Sequence, residues 1–296
     1  MTLQRQLDFA RNFGLNIQHI SPDKKLYRVP TIDKPRSKNG YYVSFANGIY
    51  CGDWMTGRKE FFSTKTGKLT AYDRKQIRQA KKEAEVTKRI IQIKTAALAK
   101  EIYCKSQNVN SHPYLIKKGV GPTELMRVSF NELYIPLYNL SSMTIENIQR
   151  IKPDGTKLFL AGGKISGLGF VINKPELKKL NHNENTIYLA EGIATALTVA
   201  EQSNSFTVAC MNAGNLLPVG IEIRRQYPTS HIIVAGDNDY KTSLKTGINT
   251  GVIKAQECAE AINASVSFPP LTQAQLEAGL TDWNDYIQSI MEVAND

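Results

Sequence analysis

Two apolar runs that end in acidic residues decide the fold: Thr186-Ile-Tyr-Leu-Ala-Glu191-Gly192 and His231-Ile-Ile-Val-Ala-Gly-Asp237-Asn-Asp239. Each run has the length and branched content of a strand buried on both faces. In an open α/β sheet, ligands bind just beyond the carboxyl ends of the strands. That placement predicts one crevice shared by Glu191, Asp237 and Asp239. Three carboxylates in one crevice repel each other unless a cation holds them, and hard oxygen donors favour Mg²⁺.

Outward from these runs the pattern alternates. Strands are expected at Thr186–Ala190, Phe206–Cys210, His231–Ala235 and Ser265–Phe268, with helices near Ala194–Gln202, Val219–Gln226 and Ile248–Ile262. Such alternation predicts an α/β domain over residues 181–296, a mainly parallel sheet covered by helices on both faces. Taken singly, the acidic segments are ordinary. Glu-Gly pairs are common at turns, and Asp-Asn-Asp runs make loops and caps. Asp282-Trp-Asn-Asp285 equally suits the N-cap of a closing helix, Tyr286–Ala294. Their conjunction in one module carries the reading.

The preceding chain reads as α+β. Residues 1–70 suggest a small mixed module: a helix over Leu7–Leu15, strands Tyr41–Phe45 and Gly48–Cys51 around an Asn47-Gly48 hairpin signal, a tight turn over Gly52–Gly57, and a strand Lys59–Phe62. Thr70-Ala-Tyr-Asp73 fits a capping box that opens a helical connector over 71–107. Its basic residues, Arg74, Arg78, Lys81, Lys82, Lys88 and Arg89, suit a solvated helix face. Residues 108–180 suggest a basic mixed subdomain with turns at His112-Pro-Tyr-Leu115 and Gly121-Pro122. Strands follow at Leu133–Tyr138, Ile145–Arg150, Lys157–Leu160 and Leu168–Ile172, with a hairpin turn at Pro153-Asp-Gly155. Gly162-Gly-Lys164 resembles a fragment of a phosphate loop, but no upstream Gly stands at Walker spacing and Ile165 replaces Ser/Thr, which excludes a P-loop NTPase.

Charge divides unevenly. From residue 181 onward, 5 Lys/Arg face 13 Asp/Glu, so the first 180 residues hold 32 basic against 14 acidic within the overall +10. A basic surface for a polyanion attached to an acidic, metal-holding module accounts for this asymmetry. No apolar stretch approaches the roughly 20 residues that span a bilayer, and the N-terminus lacks signal-peptide blocks, so a cytoplasmic location is expected. Cys51, Cys104, Cys210 and Cys258 are scattered without Cys-x-x-Cys spacing, and the histidines are equally dispersed, so no zinc site is expected.

Ala190-Glu191-Gly192-Ile-Ala-Thr-Ala-Leu197 and Ile233-Val-Ala-Gly-Asp237-Asn-Asp239, with Gly247 and Gly251 at the next helix, resemble the two motifs of the Toprim domain. The resemblance is closer to Toprim primases of plasmids, phages and other mobile elements. It extends through His112-Pro-Tyr-Leu115, Lys117-Lys118-Gly119, Leu133–Leu137, Ile148–Ile151 and Pro153–Gly163, and downstream to Thr281-Asp282-Trp-Asn-Asp285. Gly52-Asp-Trp54-Met-Thr-Gly57 is similar to the N-terminal region of such proteins.

The resemblance implies a DNA primase, a nucleotidyltransferase making short RNA primers on single-stranded DNA in mobile-element replication. Glu191 would be the general acid/base or a ligand beside it. Asp237 and Asp239 would hold Mg²⁺ or Mn²⁺, and Asp282 and Asp285 would complete a second metal position in a two-ion site. Lys157, Arg150, Lys117, Lys118 and Lys164 would guide template and NTP phosphates, with Lys157 placed beside the Toprim cleft. A zinc module and a helicase P-loop, present in many primases, are absent from these residues. A separate helicase or replication initiator is therefore an expected partner, and residues 1–70 have a possible template-binding role. Two alternatives remain: a Toprim-type metal-dependent nuclease, and a non-catalytic single-strand-binding replication accessory protein.

Overall fold

The structure is a computed structural model that describes residues 2–36, 38–54, 56–64, 70–173 and 186–295. Met55 and the expected boundary at 180/181 lie outside the described residues, as do the side chains of Asp73 and Ala294. The chain forms two compact units, residues 1–93 and 94–296, and the division falls inside the long helix Ala71–Lys105.

The first unit holds α1 (Thr2–Phe13) and four antiparallel strands in sequential order: β1 (Leu26–Val29), β2 (Gly40–Phe45), β3 (Gly48–Asp53) and β4 (Lys59–Ser63). The long helix is α2. Strands β2 and β3 are buried along their whole length, because both faces of the sheet are covered. On one side Ala10 and Phe13 of α1 meet Tyr42, Ile49 and Cys51. On the other Ala80 and Ala84 of α2 meet Tyr41, Val43, Phe45 and Tyr50. This double cover erases the polar/apolar alternation of a one-sided strand. Gln6, fully buried, donates to the Phe45 carbonyl at 2.9 Å and accepts from Ser44 Oγ at 2.6 Å, so its amide is satisfied.

Three expectations here need correction. The helix expected over Leu7–Leu15 begins at Thr2 and stops at Phe13, before Gly14 with its φ of 106°. The hairpin turns at Ala46-Asn47, not Asn47-Gly48: Phe45 pairs with Gly48, and a Cβ on Gly48 would strike the Phe62 carbonyl. The expected turn over Gly52–Gly57 begins only after Asp53, since Gly52 and Asp53 continue β3 and pair with Tyr41 and Gly40. Gly52 is a packing glycine there, leaving room for the Tyr41 ring.

The second unit contains a ten-stranded sheet. Its strands are β5 (Gln107–Asn108), β6 (Arg127–Ser129), β7 (Glu132–Asn139), β8 (Thr144–Ile151), β9 (Lys157–Phe159), β10 (Leu168–Ile172), β11 (Ile187–Ala190), β12 (Phe206–Ala209), β13 (Ile232–Ala235) and β14 (Ser265–Ser267). Its helices are α3 (Pro113–Lys117), α4 (Ile193–Ser203), α5 (Leu216–Gln226), α6 (Tyr240–Thr246), α7 (Thr250–Ala261), α8 (Gln273–Ala278) and α9 (Trp283–Asn295). The sheet runs β14-β13-β11-β12-β10-β7-β6-β5, with β8 paired to β7 and β9 to β8. Strands β11 to β14 are mutually parallel, whereas β10 is antiparallel to both β12 and β7. The parallel α/β part is thus continuous with the antiparallel basic part through β10.

Local chemistry explains the remaining differences. His112-Pro-Tyr-Leu115 is not a bare turn but the start of α3, where His112 Nδ1 accepts the Tyr114 N–H at 3.2 Å and Pro113 occupies the first helical position. Helix α5 begins at Leu216, three residues before the expected start, because Pro218 lies in the first turn, where a missing N–H costs no helical bond. Asn215, buried and outside every motif, donates to the Leu168 and Cys210 carbonyls at 2.8 and 2.7 Å and accepts from the Gly167 N–H. It fastens the start of β10 to the end of β12.

Candidate active site

The crossover directions locate the site. The β11–α4–β12 connection moves to one side of β11, and the β12–α5–β13 connection returns past it to the other side. Right-handed crossovers then put α4 and α5 on opposite faces of the sheet. The reversal makes a topological switch point between β11 and β13, where a crevice opens beyond the carboxyl ends. Ala190 and Ala235, the last residues of these strands, are register partners. Glu191 follows the first immediately and Asp237 follows the second after Gly236, so both carboxylates enter that crevice.

Each acid is held by a specific device. Asp239 Oδ2 accepts the Gly251 N–H at 2.9 Å in the first turn of α7. A side chain at Gly251 would lie 2.6 Å from the Asp237 carbonyl and 3.1 Å from Asp239 Oδ2, so the approach requires glycine. Asp282 Oδ1 caps α9 by accepting the Asp285 N–H at 2.9 Å. Asp285 Oδ2 accepts the Thr281 N–H at 3.0 Å, and its Oδ1 pairs with Lys118 Nζ at 3.1 Å. Asn238 N–H donates to the Thr281 carbonyl at 2.8 Å, which brings the α9 start to the β13 loop. Asn284 completes the junction, donating to the Lys118 carbonyl at 2.7 Å and to Thr198 Oγ1 at 2.9 Å.

These groups lie near enough to shift one another's protonation. Burial, then Glu191, Asp282, Asp239 and Asp285, push the Asp237 carboxyl up to about 9. Burial and Asp239 raise Glu191, against the Ala213 N–H and Lys157, which lower it. Burial and Asp285 raise Asp282, while the Asp285 N–H, Lys118 and Thr195 oppose the shift. Lys157 is an exposed residue whose ammonium interacts with this group. Desolvation and Lys118 lower its pKa, and Asp282, Asp237 and Glu191 pull the other way. Its Nζ sits 5.3 Å from the centroid of the Tyr114 ring. Tyr114, buried, is raised by burial and by Asp282.

The structure therefore brings together Glu191, Asp237, Asp239, Asp282 and Asp285, with Lys157 and Lys118 facing them. It does not bring the other three basic residues to the same point. Arg150 pairs with Glu132 and Lys164 with Glu146, each at 3.5 Å, and Lys117 is exposed at the end of α3. Sequence reasoning missed Tyr114 and Gly251 as individual parts of the site, although both lie in quoted motifs. It also missed Asn284, where only its place between two aspartates gave a signal.

Asp237 Oδ1 is buried amid other carboxyl groups with no hydrogen-bond partner among the described residues. Such an atom fits a hard divalent cation. Among the described residues, no three His, Cys, Asp or Glu side chains converge tightly enough to encircle an ion.

Comparison with known proteins agrees with this geometry. Residues 186–291 match the Toprim domain family, so the crevice belongs to a Toprim domain. Two proteins of Escherichia coli, both DNA primase TraC, are 29% identical over 265 residues and 27% identical over 283 residues. These alignments cover 85% and 88% of this chain, which spans 24% and 19% of the two relatives. The primase fragment of the bacteriophage T7 primase-helicase protein superimposes with a TM-score of 0.39 at 13% identity, covering 90% of this chain and 98% of that one.

Proposed function

We propose that the chain is the catalytic part of a DNA primase, making short RNA primers on single-stranded DNA for a plasmid, phage or other mobile element. One observation carries the reading. The similarity to two proteins named DNA primase spans 85% and 88% of the chain, well beyond the Toprim domain, and so includes the basic region upstream of it. A nuclease sharing only the acidic module gives no reason for that extent.

Asp237 and Asp239 are the residues assigned to hold Mg²⁺ or Mn²⁺, and Asp282 is assigned to a second position. Asp285, already paired with Lys118, is assigned to steady both. A bound divalent ion would supply charge neutralisation at the reacting phosphate. The 3′-oxygen of the growing strand attacks the α-phosphorus of an NTP, and the bond to pyrophosphate breaks. Glu191, raised by burial and by Asp239, is assigned to take the proton of the attacking hydroxyl. A raised carboxyl pKa suits a base that must later release its proton. Lys157 and Lys118 are assigned to the nucleotide phosphates, and Lys117, Arg150 and Lys164 to the template strand. Unwinding is assigned to a helicase or replication initiator acting beside this catalytic part. Residues 1–70 are assigned a role in template binding. No helix among the described residues is long and apolar enough to cross a membrane, and action in the cytoplasm follows from the substrate.

The test is incubation of the purified chain with single-stranded DNA, labelled NTPs and Mg²⁺ or Mn²⁺. Short oligoribonucleotides are expected, lost in Asp237→Ala with DNA binding nearly intact. Cutting of labelled DNA without synthesis would install the nuclease reading. A chain that binds DNA but shows neither activity, with Asp237→Ala changing nothing, would install the accessory-binder reading.

A further inference from the structure

The hairpin joining β6 to β7 carries a phenylalanine where the backbone disfavours one. Ser129 pairs with Glu132, so Phe130 and Asn131 form a two-residue turn, with φ of 48° and 61°. Such a turn favours Asn or Gly at both positions. Asn131 fits; Phe130 has no short polar group to relieve a left-handed backbone. Burial does not compensate, because the Phe130 side chain is 96% exposed. Backbone strain held without a packing gain marks a position kept for another purpose.

The tip is anchored toward the candidate active site. His112, 2% exposed, hydrogen-bonds through Nε2 to the Asn131 carbonyl at 3.2 Å, while its Nδ1 accepts the Tyr114 N–H. The Tyr114 ring in turn lies under Lys157 Nζ. One buried histidine thus links the exposed ring to residues facing the carboxylates. The segment that carries His112 also carries Lys117, exposed at the end of α3, whereas Arg127 in β6 is held over the Tyr103 ring and Lys118 is paired with Asp285. An isolated ring offers far less than the roughly 800 Å² per partner of a stable protein interface. An exposed aromatic face on an anchored turn matches the recognition chemistry of single strands, where bases stack on aromatic side chains and cations follow the phosphates.

We propose that Phe130 is a stacking platform for a base of the single-stranded DNA that approaches the Toprim site. The proposal rests on the primase reading and adds to it a contact with the base face, which the lysines cannot supply. It predicts sequence-tolerant binding, since every base has a π-face.

Fluorescence anisotropy of a labelled oligo-dT with the full chain tests it, comparing Phe130→Ala and Phe130→Trp. Phe130→Ala should weaken binding roughly 10-fold, in the range of one lost base–aromatic stack, and Phe130→Trp should preserve it. The dependence on salt should stay the same, because no phosphate contact is removed. An oligomer made of abasic sites should bind the unaltered chain and Phe130→Ala equally. Thermal melting of Phe130→Ala at or above that of the unaltered chain confirms that the fold is intact. Equal binding of oligo-dT by Phe130→Ala, in a chain that still makes primers, would overturn the stacking role alone. Equal loss on the abasic oligomer would also overturn it. No binding of any oligomer by the unaltered chain would remove both this role and the primase reading. Self-association abolished by Phe130→Ala, with DNA binding unchanged, would assign the ring to a second copy of the chain instead.

Discussion

Lys118 Nζ lies 3.1 Å from Asp285 Oδ1, joining the end of α3 to the first turn of α9 across 167 residues of sequence. Both side chains are about three-quarters covered, at 28% and 22% exposure. Removing one partner leaves the other charge under-solvated, whereas removing both does not. Lys118→Met and Asp285→Asn should each lower unfolding stability by about 1–2 kcal/mol, and the double variant by clearly less than the sum. Urea unfolding of the four proteins measures the coupling. Strict additivity would mean that the pair is no more than a surface contact.

Asp237 makes the opposite prediction. Its carboxyl is pushed from 3.8 to about 9 by burial and by Glu191, so the folded metal-free chain keeps a proton that the unfolded chain releases above about pH 4. Folding therefore becomes less favourable as pH rises from about 4 toward 9. Asp237→Asn should melt higher than the unaltered chain in EDTA at pH 8, and the gap should close as pH falls to about 4. Added Mg²⁺ should raise the melting temperature of the unaltered chain more than that of the variant. A gap independent of pH would contradict this account.

Gly251→Ala places a methyl group 2.6 Å from the Asp237 carbonyl. Either the β13 loop or α7 must shift, and the Gly251–Asp239 hydrogen bond is lost with it. Overpacking of this kind costs about 1–3 kcal/mol. A matching fall in Mg²⁺ affinity, read by titration calorimetry, is expected even though no acidic residue has changed. Unchanged affinity would show that the position of Asp239 does not depend on Gly251.

Glu222 lies away from the site and titrates conversely. Arg225 holds it at 2.7 and 3.1 Å, and Ser141 and Gln226 also donate to it. Arg225 above all lowers its carboxyl from 4.5 to about 2. The resulting stability is present above about pH 4.5 and is lost as pH falls through about 2. Glu222→Gln should cost about 1 kcal/mol at pH 7, after discounting for its partly exposed position. The cost should disappear near pH 2, as read by denaturant midpoints across pH.

The parallel strands were legible because apolar runs buried on both faces ended abruptly in Glu191 and Asp237. The gathering of the acids followed from general rules of α/β sheets. Three features were hidden for physical reasons. Strand β1 has four half-buried residues and no clean alternation. The continuity of the sheet through β10 depends on long-range pairing that no local pattern encodes. The commitments of Arg150 to Glu132 and of Lys164 to Glu146 rest on side chains that meet only after folding. Asp285 illustrates the same limit: its ion pair with a lysine in a distant helix was invisible, although its place in the closing acidic motif was not.

The seam between β7 and β10 consists of two residue pairs, Asn139 with Leu168 and Tyr138 with Gly169. Strand β7 pairs with β8 along most of its length, and β10 pairs with β12 over three residues. The acidic and basic halves of the sheet therefore share the fewest ladder bonds along this line. Bending there sacrifices less backbone pairing than bending anywhere else in the sheet except at the equally short β5–β6 edge. The seam is the line of least stiffness between the two halves, so a load on the antiparallel half would be absorbed there before it disturbed the spacing of Glu191 and Asp237.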